Sequence, residues 1–316
     1  MVTKLSSPSK LTPTKSDAIV GFHIEPTNIC TLKCAGCART MFIDQWPQHW
    51  RNHSLDIDQL MRFLDCNLQN KIITLCGNYG DPIYHPDFIK LVSRFKQRGA
   101  VLNIVTNGSY KTKEWWHELG ALLTDQDAVT FSVDGIPDNF TQYRVNANWP
   151  SIHTAMIEMV GSAAKTMWKY IPFAFNQHNI EQAKALSTDI GIDEFSVCHS
   201  DRFNEFTMHL KPDEHLVGVR HQSHQQGTWK QQTHPANINA RCNSNNQHYI
   251  SAAGFYSPCC DVADHRFYYK TIFGKNQKNH SIADTTLTAL LDQPAVISFY
   301  QTLPEHSVCQ FNCPVT

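Results

Sequence analysis

Three cysteines near the start of the chain are spaced like ligands of a metal centre. Cys30, Cys34 and Cys37 fall within eight consecutive positions, after a short apolar run at 18–24 that is typical of a strand. Three thiolates on one loop can bind three irons of a [4Fe–4S] cluster and leave the fourth iron open, as a catalytic metal requires. A structural zinc site is the alternative, although zinc sites usually show paired CxxC units.

The elements that would position these cysteines follow from an alternation of apolar runs and helical patterns. The sequence predicts strands at 18–24, 71–76, 100–108, 127–135, 170–177 and 194–200, and helices at 55–68, 86–99, 113–123, 151–165 and 180–191. About six strand–helix repeats favour parallel strands with crossover helices, wound as a barrel or as an open sheet.

Short polar motifs fall where several of these strands end. The motif GNYGDP (77–82) follows the second strand, TNGS (106–109) the third and SVDG (132–135) the fourth. Chemistry in such folds gathers at the carboxyl ends of the strands, so these motifs and the three cysteines are expected at one edge of the sheet.

Bulk composition restricts the class of protein. The chain has 316 residues, 41% of them hydrophobic, and a net charge of −1, which disfavours a nucleic-acid partner. It has no apolar run long enough for a transmembrane helix and no secretory signal, and residues 1–17 are expected to form a flexible tail. Eleven cysteines without an export signal predict a cytoplasmic protein that binds metal or performs catalysis.

The CxxxCxxC motif and the order of the later motifs resemble the radical S-adenosylmethionine (SAM) superfamily over nearly the whole chain. The resemblance implies an α/β fold, a partial (β/α)6 TIM-like barrel over 18–200. It also implies that Cys30, Cys34 and Cys37 hold a [4Fe–4S] cluster whose open iron binds SAM. A 5′-deoxyadenosyl radical from SAM would then abstract a substrate hydrogen, with electrons from a flavodoxin- or ferredoxin-type donor.

The resemblance also assigns residues to SAM. The YGDP sequence resembles the family's GGEP motif, which binds the methionyl ammonium; it comprises Tyr79, Gly80, Asp81 and Pro82. The remaining matches are Thr106 and Asn107 of the family's TNG motif, Ser132 and Asp134 of its S-x-D-G motif, which commonly lies near the ribose, and Arg144, an expected contact of a carboxylate or phosphate. Two departures concern Gly36, where the family often has an aromatic residue, and Asp81, which replaces a longer Glu. Adenine contact is therefore expected from Phe42 or Met41.

A second group of cysteines lies beyond a polar linker predicted at 201–234. The region 235–316 is similar to the SPASM and twitch extensions of the family, which implies a small C-terminal domain with one auxiliary [4Fe–4S] cluster. Its expected ligands are Cys242, Cys259, Cys309 and Cys313. Cys260 could replace Cys259, and a structural zinc site with the same four thiols is the alternative.

Several functions remain open at this point. A peptide substrate ranks first, oxidation of a sugar or cyclitol alcohol second, and nucleotide modification third. Cys198, at the end of the sixth predicted strand, would return a hydrogen atom to a substrate radical in an epimerase, or would pack as Cys66 and Cys76 are expected to do. A non-catalytic zinc or iron–sulfur protein is the alternative of another class.

Overall fold

The computed structural model describes residues 15–201, 203–218, 242, 247–264, 268–303, 306, 308, 309 and 313. Its strands are β1 (Gly21–Ile24), β2 (Ile72–Leu75), β3 (Val101–Thr106), β4 (Ala128–Ser132), β5 (Lys165–Tyr170), β6 (Glu194–Val197), β7 (Gln247–Ile250) and β8 (Tyr256–Ser257). Its α-helices are α1 (Ala38–Gln45), α2 (Ile57–Phe63), α3 (Phe88–Gln97), α4 (Lys113–Leu122), α5 (Trp149–Val160), α6 (Ile180–Ile190), α7 (Ile272–Lys275), α8 (Leu287–Leu291) and α9 (Pro294–Gln301).

Across the described residues the strands form one sheet in the order β6-β5-β4-β3-β2-β1-β7-β8. Strands β1 to β6 are paired in parallel with their neighbours, and each connection between consecutive strands carries at least one helix. Parallel strands joined in this way bring all of their carboxyl ends to one edge. The expected α/β fold with a TIM-like, mostly parallel sheet is confirmed.

The helices cover one face of the sheet because both elements are apolar on the side that they share. Helix α3 buries Phe88, Leu91, Val92 and Phe95, whose spacing places them on a single helical face. Strand β3 alternates half-buried positions with buried ones, so that every second side chain points towards the helices. The core of the protein therefore lies between the sheet and its helical layer.

The opposite face of the sheet is of mixed character. Its positions, which alternate with the buried ones, are half-buried at the polar His23 and Asn103 and at the apolar Val101 and Met167, and exposed at Lys169. The polar side chains on this face are able to meet a polar molecule.

The sequence prediction was wrong around the fifth strand. The helix expected at 151–165 ends at Val160, and β5 occupies 165–170 rather than 170–177. In β5 the side chains of Thr166, Trp168 and Tyr170 are buried at alternate positions, as a strand requires. The apolar stretch that follows is a turn, held by the Asn176 side chain, which accepts the N–H of Phe173 at 2.6 Å.

The C-terminal region adds two strands to the same sheet. Strand β7 pairs in parallel with β1, and β8 pairs antiparallel with β7. The boundary expected near residue 235, the second half of the linker predicted at 201–234 and residues 1–14 of the tail predicted at 1–17 lie outside the described residues. Within the described part of the chain, no helix combines the length and the apolar character needed to cross a membrane.

Candidate active site

The loop after β1 brings the three N-terminal cysteines together. The Cys37 N–H donates to the Cys34 carbonyl at 3.1 Å, and this turn leads directly into α1. Burial, the Asp81 carboxylate and the other two cysteines raise the pKa of the Cys30 thiol to about 12. Burial likewise raises the pKa of Cys34 to about 11, although Arg144 opposes this shift. Thiols in such surroundings become thiolates when a bound metal supplies positive charge.

The three thiols are electrostatic neighbours of one another. Cys34 and Cys37 both contribute to the raised pKa of Cys30, and Cys37 contributes to that of Cys34. In the described residues, no group of three or more His, Cys, Asp or Glu side chains is placed to hold a metal ion. The thiolates of a [4Fe–4S] cluster bind separate irons, so neighbouring thiols are what such a cluster requires. The assignment of Cys30, Cys34 and Cys37 to a cluster rather than to zinc stays a prediction.

One amide connects the cysteine loop to two of the polar motifs. The Asn107 side chain donates to Cys30 Sγ at 3.6 Å and to Asp81 Oδ2 at 2.6 Å. The Asn107 N–H also donates to Asp81 Oδ2 at 2.6 Å, and Thr106 Oγ1 donates to Oδ1 at 2.8 Å. These contacts unite the first cysteine with residues from the ends of β2 and β3.

These contacts determine what Asp81 can do. Its two carboxylate oxygens accept hydrogen bonds from Thr106, Asn107 and the Ile83 N–H, and burial raises its pKa to about 6. Asp81 therefore holds the loop at 77–82 against the turn after β3. An ammonium contact by this loop stays a prediction; because both Asp81 oxygens already accept hydrogen bonds, that contact would fall to the backbone carbonyls of the loop.

The motif after β4 contains a buried ion pair. Arg144 Nε and Nη2 lie 2.8 and 2.7 Å from Asp134 Oδ2, while Asp134 Oδ1 accepts the Ile171 N–H at 2.9 Å. The Arg144 charge lies near enough to Cys34 to favour its thiolate. Ser132 is the last residue of β4, at the same edge of the sheet. Asp134 and Arg144 are thus brought beside the cysteine loop.

Tyr143, an aromatic residue that the sequence did not indicate as an adenine contact, lies against Gly36. A Cβ atom at Gly36 would be 3.1 Å from the Tyr143 hydroxyl, a tight contact, and the Tyr143 ring packs 4.3 Å from that of Phe173. Phe42, one of the two residues expected to contact adenine, instead packs among aromatic rings, 5.5 Å from Trp46 and 5.8 Å from Trp50. Tyr143 could be found only by knowing how the chain folds.

The remaining cysteines lie in three different surroundings. Cys198 directly follows β6, where its N–H donates to the Tyr170 carbonyl at 2.8 Å, so it is at the expected edge of the sheet. Cys76 follows β2 and is half-buried, and burial raises its pKa to about 12. Cys66 is buried in the core. A role of Cys198 as a hydrogen donor stays a prediction.

The C-terminal cysteines line one small pocket. Cys242, Cys259, Cys309 and Cys313 share it with apolar side chains, among them Val262, Phe299 and Val308. Burial raises the pKa of both Cys259 and Cys309, and the Cys242 sulfur contributes to each shift. Cys260 does not line the pocket; it is an electrostatic neighbour of Cys259, and also of Cys76 and Tyr249. The geometry therefore favours Cys259 over Cys260 as a ligand.

Solved structures share the fold of this chain. The structure of SuiB from Streptococcus suis bound to S-adenosylmethionine aligns with a TM-score of 0.56, 12% identity, and coverage of 95% of this chain and 72% of that chain. Native anSMEcpe with bound AdoMet and the Cp18Cys peptide aligns with a TM-score of 0.58, 12% identity, and coverage of 90% and 83%.

Curated relatives match shorter stretches. The tungsten-containing aldehyde ferredoxin oxidoreductase cofactor-modifying protein of Pyrococcus furiosus is 33% identical over 119 residues, which are 36% of this chain and 31% of that protein. The PqqA peptide cyclase of Streptomyces rochei is 24% identical over 190 residues, which are 59% of this chain and 50% of that protein. The chain therefore spans half or less of the length of these relatives.

A family model covers the barrel from β1 to α6 and the motifs at its strand ends. The model described as the Radical SAM superfamily matches residues 24–186, which are more than half of the chain and include the three N-terminal cysteines. The chain belongs to the Radical SAM superfamily.

Proposed function

We propose that this enzyme cleaves SAM reductively at the carboxyl edge of β1–β4 and uses the product radical to modify a peptide. Membership of the superfamily implies a [4Fe–4S] cluster and SAM. When bound, a cluster with one open iron supplies the electron that splits the SAM sulfonium, and the resulting 5′-deoxyadenosyl radical takes a hydrogen atom from the substrate. Cys30, Cys34 and Cys37 would hold that cluster.

The observation that carries the proposal is the double contact of the Asn107 amide with Cys30 and Asp81. It places the thiols and the loop at 77–82 side by side. That loop would bind the methionyl ammonium through its carbonyls, and Asp134 and Arg144 would meet the ribose or the carboxylate of SAM.

Removing one cysteine tests the SAM chemistry. The anaerobically reconstituted wild-type protein, reduced with dithionite and given SAM, is expected to release 5′-deoxyadenosine, and Cys34→Ala is expected to release none. Cys66→Ala is the matched control, because Cys66 is buried in the core away from the motifs and should leave the release unchanged. Wild-type release by Cys34→Ala, or zinc in place of iron in the wild type, would contradict the proposal.

Similar proteins support different substrates. The PqqA peptide cyclase, and SuiB bound to its precursor peptide SuiA, favour a peptide for this chain. The cofactor-modifying protein of Pyrococcus furiosus favours a small molecule, such as a sugar, cyclitol or nucleotide, as the second candidate. The polar side chains of His23, Asn103 and Lys169, on the face of the sheet opposite the helices, would suit either.

The proposal also includes a source of electrons for the N-terminal cluster and a fate for the substrate radical. A flavodoxin- or ferredoxin-type protein of the cytoplasm would reduce the N-terminal cluster. The C-terminal thiols would hold a second [4Fe–4S] cluster, and with such a cluster as acceptor the substrate radical would lose its electron to give an oxidised product. If instead Cys198 returned a hydrogen atom, the product would be an epimer. Mass spectrometry separates the two, since oxidation removes hydrogen and epimerisation leaves the mass unchanged.

A further inference from the structure

Glu25 is a buried carboxylate that the assigned motifs do not include. It directly follows β1, its exposed fraction is 2%, and burial raises its pKa. Its two oxygens accept hydrogen bonds from four neutral donors, three backbone N–H groups and one phenol. A buried carboxylate is tolerated only when its oxygens are satisfied in this way, so Glu25 ties together the segments that supply the donors.

One oxygen of Glu25 holds the loop at 77–82. The N–H groups of Tyr79 and Gly80 donate to Oε1 at 2.7 and 3.1 Å. In a trans peptide the carbonyl points away from the N–H of the same unit, so the carbonyls of Asn78 and Tyr79 point to the side of the loop opposite Glu25. The carboxylate thereby sets the direction of the carbonyls in the stretch proposed to bind the SAM ammonium.

Two glycines allow the loop to approach Glu25 this closely. A Cβ atom at Gly77 would lie 2.9 Å from Glu25 Oε1, and one at Gly80 would lie 1.9 Å from the Thr27 carbonyl oxygen. Gly80 thus excludes larger residues because the loop is seated on the backbone that follows β1, and Gly77 excludes them because the loop also folds closely onto its own backbone at Gly80.

The other oxygen of Glu25 contacts the C-terminal region. The Tyr249 hydroxyl of β7 donates to Oε2 at 3.0 Å, and the Ala252 N–H lies 3.5 Å from it. The Glu25 N–H donates to the Ile250 carbonyl at 2.9 Å, which keeps the two segments in register. One carboxylate therefore joins β7, which precedes Cys259, to the loop at 77–82.

We propose that Glu25 is a positioning residue for SAM, and that Tyr249 fixes it so that the C-terminal region contributes to SAM affinity. The inference rests on the proposed function. Glu25 would not touch SAM; it would hold the carbonyls of the loop in the orientation that an ammonium group requires.

Two substitutions test this role with the reconstituted, full-length protein and SAM as the probe. Glu25→Gln preserves shape but replaces one acceptor oxygen with a donor, and is expected to weaken SAM binding about tenfold. Tyr249→Phe removes one hydroxyl and is expected to weaken SAM binding by a smaller factor than Glu25→Gln does. Tyr256→Phe, on the adjacent strand β8, is the matched control, because its buried hydroxyl pairs with His248 rather than Glu25.

The readouts separate positioning from folding. Dissociation constants come from calorimetry, and the electron paramagnetic resonance signal of the reduced cluster is recorded with and without SAM; saturating SAM should restore the wild-type signal in both variants. Iron content should stay unchanged, and Tyr256→Phe should bind SAM as the wild type does.

Wild-type SAM affinity in Glu25→Gln, or equal losses of SAM affinity in Tyr249→Phe and Tyr256→Phe, would overturn the inference. Failure of the wild type itself to bind SAM would instead overturn the proposed function on which it rests.

Discussion

At the scale of the residue, Gly80 has the tightest requirement in the proposed SAM site. A methyl group there would meet the Thr27 carbonyl oxygen at 1.9 Å and the Asn28 α-carbon at 2.6 Å, both of them backbone atoms that cannot rotate away. Gly80→Ala must therefore push the loop off Glu25. We expect SAM affinity to fall by at least about tenfold, because the backbone carbonyls lose their orientation. Equilibrium binding of SAM to the reconstituted protein measures this.

Gly161, just after α5, provides the matched control. An added Cβ there would make only ordinary contacts, the nearest at 3.5 Å, and its backbone has a helical φ of −74°. Gly161→Ala should therefore leave SAM affinity unchanged. If Gly80→Ala binds SAM as Gly161→Ala does, the loop is not held as described.

The types of the site residues could be predicted from sequence, but their partners could not. The spacing of Cys30, Cys34 and Cys37 and the order of the later motifs indicate the chemistry because they are local patterns. The contacts of Asp81 with Asn107, and of Glu25 with Tyr249, join positions that are 26 and 224 residues apart. No local pattern reports such pairs, since they depend on which strands become neighbours.

At the scale of the element, β7 and β8 contain a histidine that links their stability to pH. His248 is fully buried, and burial lowers its pKa from 6.5 to about 3. The unfolded chain binds a proton below pH 6.5 and the folded chain does not, so stability is fully present above pH 6.5 and is lost as the pH falls towards 3. Between pH 7.5 and 5.5 this histidine should cost about 1.4 kcal/mol of unfolding free energy.

Urea unfolding of the wild type and of His248→Asn at the two pH values measures this cost. The asparagine keeps a polar group near the Tyr256 hydroxyl, which lies 2.7 Å from His248 Nδ1. The variant should lose about 1.4 kcal/mol less than the wild type on acidification. Equal losses in the wild type and His248→Asn would show that His248 is protonated in the folded state.

The elements differ in how well their sequences predict them. Helix α3 and strand β3 were predicted because each has a clear periodicity, 3.6 residues in the one and two in the other. Strand β5 was misplaced because KTMWKY has two exposed lysines among its six residues, and a longer apolar run follows it. Strand β7 was not foreseen as part of the barrel sheet, since its partner β1 lies far away in the sequence.

At the scale of the whole molecule, two separate groups of cysteines lie beside the same sheet. The first follows β1 at the carboxyl edge, and the second lines a pocket formed by the region after β8 and by α9. Strand β7 lies between them, in contact with Glu25 through Tyr249. The C-terminal region is therefore part of the framework of the proposed SAM site. A second cluster there would stabilise the region that contains β7, and it would also accept an electron from the substrate radical.

Adjacent cysteines in the C-terminal region allow the second cluster to be tested. Two [4Fe–4S] clusters predict about eight irons per chain after anaerobic reconstitution. Cys259 lines the pocket with three other thiols, whereas Cys260 lies near Cys76 and Tyr249. Cys259→Ser should therefore lower the iron content to about four while the N-terminal cluster persists, and Cys260→Ser should leave it at about eight. Iron and zinc analysis measures both variants; zinc in the wild-type pocket, or equal iron in the two variants, would show that these thiols do not hold the second cluster.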